Sequence, residues 1–147
     1  MKNSPAIARL SLDLAAMVRR HINVPEPTAT GGDLPSLVGA YWKVSGIIDA
    51  PEDGARTRRH PLNQAQLIDL EHISMAIYRQ VMALTGMSVN PAWRCVMSAI
   101  RIEEMGGDIT TAEAQREVQE LLSWVVGCDF REQIIQERWM VLEGATA

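Results

Sequence analysis

The chain has 147 residues, 47% of them hydrophobic and 22% charged, with a formal net charge of −4. That is one domain's worth of sequence with enough apolar material for a core, which excludes disorder of the whole chain. No run of about 18 apolar residues occurs, which excludes a membrane-spanning helix, and Arg9 and Asp13 interrupt the apolar stretch that an N-terminal secretory signal needs.

The first helix is predicted near the start of the chain and should stop near Ile22. Asn3 or Ser4 caps it, Pro5 fits its first turn, and Ile7, Leu10, Leu14, Met17 and Val18 recur at helical spacing. Residues 23–33 contain Pro25, Pro27, Gly31 and Gly32 and read as a linker, so this helix can pack on its own bundle or swap onto a second copy. A second helix begins at Asp33 with Pro35 in its first turn. Its YWKVSGII stretch is also β-rich, but no partner strand is evident elsewhere, so helix is preferred. Gly39 and Gly46 lie seven residues apart on one of its faces, where another helix could approach closely.

Residues 49–62 form a second linker-like segment. The third helix then runs from the Asn63 cap to Gly86, with one apolar stripe of Leu67, Leu70, Ile77, Val81 and Leu84 and a second of Ile68, Met75 and Met82. So wide an apolar arc predicts a central helix covered on more than one side. A fourth helix is expected from Asn90-Pro91 to Gly106-Gly107. A fifth follows, with Thr110 and Glu113 at capping-box spacing, and ends at Gly127. A sixth is capped by Asp129 and carries Phe130, Ile134, Ile135 and Leu142. The expected fold is all-α, a single domain over 1–147 built as a compact bundle of five to six helices.

Charge is divided unevenly. Residues 1–62 hold eight Lys/Arg and six Asp/Glu, and residues 63–147 hold six and twelve, so the halves carry +2 and −6. The basic half contains DAPEDGARTRRHPLN, with Arg56, Arg58, Arg59 and His60. A calcium loop would place Asp49, Asp53 and Gly54 at its positions 1, 5 and 6, but Pro51 and His60 stand where ligands belong. Arginine forks suit phosphate or carboxylate. Here no glycine-rich cradle or stacking aromatic accompanies them, and Glu52 and Asp53 compete for them. The turn-helix pair around MGGDITTAEAQREVQELLSW presents Glu113, Glu117 and Glu120, an acidic stripe that DNA would repel.

Signs of catalysis are sparse. Asp69 and His72 lie three apart, with Glu103 and Glu104 as further oxygens, but a di-iron bundle needs a second Glu-x-x-His. Ser74 and Ser98 fall inside helices rather than on a sharp turn. Cys95 and Cys128 have no CxxC spacing and no histidine pair, as expected of reduced thiols in a cytoplasmic protein. Met75, Met82, Met97 and Met140 suit core packing or an adaptable groove. Of the four tryptophans, Trp42 beside Lys43 and Trp139 near the end of the last helix are the better interface candidates.

These features lead to the expectation of a small non-enzymatic, cytoplasmic protein-binding module that self-associates and uses no cofactor or metal. An adaptor, assembly factor or inhibitor would fit, including one from a phage or other mobile element. Its expected contacts are Arg56, Arg58 and Arg59 as one patch and Glu113, Glu117 and Glu120 as another, able to meet across a homodimer, with Trp42 and Trp139 beside them. The alternative is a nucleic-acid-associated regulator gripping phosphates with loop 56–60, and the third is a helical enzyme binding a metal or small ligand.

Overall fold

Capping chemistry sets where the helices begin and end. In the computed structural model, which describes residues 4–29, 31–49 and 62–127, the chain forms five helices and, among the described residues, no strand. They are α1 (Ser4–Ile22), α2 (Leu34–Asp49), α3 (Gln64–Thr85), α4 (Val89–Glu104) and α5 (Ala112–Gly127). The fold is thus an all-α bundle, as its periodicity predicts. The region expected to form a sixth helix lies outside the described residues.

Asp33 starts α2, accepting from the Ser36 backbone N–H at 3.2 Å and from its hydroxyl at 2.7 Å. Asn63 and Gln66 form a reciprocal capping box on α3, and Gly86 ends that helix in the left-handed region at φ 72°. Two starts differ from expectation. α4 begins at Val89, so Pro91 is the third helical residue; the first four N–H groups of a helix lack partners anyway, so proline is tolerated there too. At α5 the capping oxygen is Thr111 Oγ1, which accepts from Ala114 N–H at 3.2 Å. The Thr110 hydroxyl is committed to Asp108 at 2.6 Å. That bond, with one from the Thr110 backbone, holds the Asp108 carboxyl below the usual range.

Two apolar clusters meet at α4. Leu14 and Val18 of α1, Cys95, Ala99 and Ile102 of α4, and Val118 and Leu121 of α5 make the first. Leu34 and Val38 of α2, Val81 and Leu84 of α3, and Val89, Ala92 and Val96 of α4 make the second. The central helix is therefore α4, and its small residues Ala92, Cys95, Ser98 and Ala99 let neighbours approach on several sides. This corrects the expectation for α3, whose buried residues are Val81, Met82, Leu84 and Thr85, all in its last two turns. A wide apolar arc shows how much surface needs cover; it does not show that the same chain supplies it.

α1 packs chiefly on α4. The connection after it is anchored rather than loose. Val24 is buried in the first cluster, and Ala29 N–H donates to the Ala83 carbonyl at 2.8 Å. Beneath it the buried Arg19 donates from Nη1 to the Thr85 carbonyl at 2.9 Å. Thr85 Oγ1 in turn donates to the Val81 carbonyl and accepts from Met87 N–H. This network fastens α1 to the joint between α3 and α4.

Candidate interaction surface

α2 and α3 run antiparallel. Gly32 lies against Leu84 at one end, and the Tyr41 and Tyr78 rings are 5.9 Å apart further along. Beyond Val38 on α2 and before Val81 on α3, no described side chain is buried. The pair is an arm that leaves the two clusters behind. Its facing stripe, Leu67, Leu70 and Ile77, is only half-buried. On its other sides Trp42, Ile68, Ile73 and Met75 keep between 41% and 48% of their surfaces open. Trp42 meets Tyr41 edge-on at 5.5 Å. A Cβ added at Gly39 or Gly46 would meet nothing within 4 Å, so the α2 face bearing this pair is open as well.

The expected contact residues fall in different places. Trp42 is on the arm. Arg56, Arg58, Arg59 and Trp139 lie outside the described residues. Glu113 and Glu120 are exposed on α5, which packs on α4 and α1. Glu117 does not share their face: it is buried and accepts from Arg101 Nη1 at 3.0 Å. The acidic stripe is therefore two exposed glutamates flanking an internal ion pair. Arg101 is itself 45% exposed, so solvent screens that pair and its net contribution is on the order of 1 kcal/mol or less.

Little else among the described residues has chemical promise. No three His, Cys, Asp or Glu come together there as metal ligands, and Asp69 and His72 are exposed on α3. A hollow of about 230 Å³ between Arg19, Glu26, Pro27 and Leu84 has its cation already engaged by the Thr85 carbonyl, with Glu26 at 3.9 Å. Cys95 is wholly buried, and burial pushes its thiol from 9.0 up to about 12, with Arg19 and Arg94 opposing weakly.

That shift has two measurable consequences. Alkylation of Cys95 at pH 8 is expected to follow the rate of global unfolding, as quench-flow mass spectrometry would show. The folded pKa is raised, so the native state holds a proton that the unfolded state releases. The contribution to stability is complete below about pH 9 and is lost as pH rises toward 12, which Cys95→Ala should remove from the stability–pH curve.

The arm itself escaped sequence reasoning, although one signal existed. Ile73, three residues after Leu70 and four before Ile77, widens the first apolar stripe of α3 beyond what one packed neighbour covers, and it is 48% exposed. Comparison of the chain with known protein families, curated proteins and solved structures finds no match.

Proposed function

We propose that this protein is a non-catalytic binding module and that the α2–α3 arm is its binding element. One observation carries this reading: over about three-quarters of a 22-residue helix and the outer part of its neighbour no described side chain is buried, yet Trp, Ile and Met stand in the open there. Each such side chain, once covered, contributes on the order of 1 kcal/mol or more at roughly 25 cal/mol per Å². Trp and Met are also enriched at the centres of protein interfaces. An adaptor, an assembly factor or an inhibitor would use such an arm, and a cytoplasmic setting suits a protein with a free buried thiol.

The test is size-exclusion chromatography with light scattering and absorbance at 260 and 280 nm, at low and high salt. Protein-only assemblies above the monomer mass are expected. Trp42→Ser with Met75→Ser should dissolve them while leaving the far-ultraviolet spectrum intact. A species with excess 260 nm absorbance, shed at high salt, would overturn the reading and make nucleic acid the ligand.

A further inference from the structure

We infer that the surface the arm takes is a second copy of the same arm, packed antiparallel about a two-fold axis beside Met75. This rests on the arm being the binding element and adds what it binds and in which orientation. A helix hairpin is half of a four-helix bundle, so two copies supply the remaining half by symmetry and need no other chain.

The pattern on α3 is self-complementary about one residue. Ile68 and Met75 are seven apart, hence on one line of the helix, and both are exposed. Glu71 precedes Met75 by four residues and Arg79 follows it by four, and both are exposed. Pairing two α3 helices antiparallel with Met75 on the axis sets Met75 against its copy. It also brings Glu71 of each helix level with Arg79 of the other. A parallel pair would put Glu71 beside Glu71. The segregation holds along the whole helix: its acids, Asp69 and Glu71, lie in the outer half and its one arginine in the inner half. The helix dipoles favour the same antiparallel sense.

The contact is of modest size. With Met75 on the axis, the exposed parts of the two α3 helices overlap over residues 70–80, about 16 Å at 1.5 Å per residue, and two helices abreast are about 20 Å wide. That face projects to roughly 300 Å², the size of a reversible contact rather than an obligate one.

Sedimentation equilibrium of the full chain in reducing buffer tests this. A dimer is expected, with Glu71→Arg and Arg79→Glu each raising Kd about tenfold or more and the double variant E71R/R79E recovering most of the loss. Both sites are exposed in the monomer, so folding should survive, and circular dichroism checks it. Independently, Met75→Cys with Cys128→Ser should form a disulfide-linked dimer under mild oxidation, because a residue on the axis meets its own copy.

A chain that stays monomeric to about 100 µM overturns the second copy as occupant, leaving the arm to another protein or to this chain's residues 128–147. A dimer that Met75→Glu dissociates, but whose charge-reversal pair fails to recover, overturns the antiparallel arrangement alone. A dimer indifferent to Met75→Glu, Trp42→Ser and both charge reversals overturns the arm as binding element, and the proposed function with it.

Discussion

Leu14→Ala is expected to destabilise the protein by about 3 kcal/mol, whereas Ile73→Ala should change the stability of dilute, unassociated protein by no more than about 0.5 kcal/mol. Both remove branched aliphatic atoms from a helix. Leu14 of α1 is fully buried in the first cluster, which it shares with Cys95 and Ala99 of α4 and Leu121 of α5, and these two helices cannot both collapse into the space it leaves. Truncation therefore loses transfer energy and also leaves a cavity. Ile73 keeps 48% of its surface open, and alanine is the better helix former. Urea denaturation at low micromolar concentration would read both. For Leu14→Ala the midpoint temperature should fall by about 10 °C. A loss at Ile73 as large as that at Leu14 would mean the arm is already covered within the monomer, contrary to the binding role assigned to it.

The same contrast explains what could be read in advance. Caps are local chemistry, so Asp33, Asn63 and Gly86 mark their helix ends plainly. Where two candidate hydroxyls stand side by side, a third residue decides: Asp108 takes Thr110 and leaves Thr111 to cap α5. The acidic stripe on α5 was misplaced for a reason visible in its own numbering. Glu117 is three residues beyond Ala114 and four before Leu121, both fully buried, so it sits on the inward line of the helix. Arg101 on α4 makes that position tolerable, and α5 alone does not reveal it. The arm was harder still. Periodicity predicts an apolar face identically whether a neighbouring helix or another molecule covers it, and the assignment of α4 as central depends on small side chains that carry little hydrophobic signal.

Gly86→Ala is expected to cost about 3 kcal/mol, a far larger effect than Gly39→Ala, which should be neutral or stabilising by up to about 1 kcal/mol. Gly86 sits at φ 72°, where a Cβ costs roughly 1–2 kcal/mol by itself. The new methyl would also lie 3.1 Å from the Pro25 carbonyl oxygen and 3.1 Å from Arg19 Cδ. Neither neighbour yields easily. Pro25 follows the buried Val24, in a segment tied again at Ala29, and Arg19 is fixed through the Thr85 carbonyl. Moving Arg19 would strand a guanidinium whose pKa burial already lowers. At Gly39 the backbone is helical and the added Cβ meets nothing within 4 Å, so only the entropy of the unfolded chain changes. Thermal denaturation of the two variants at equal, low concentration separates the cases. Gly86 is also where the arm joins the body, since its N–H donates to the Met82 carbonyl while Met87 enters the first cluster. Strain there is transmitted to the direction in which α3 leaves the core, so Gly86→Ala should weaken association through the arm even at temperatures where the variant remains folded.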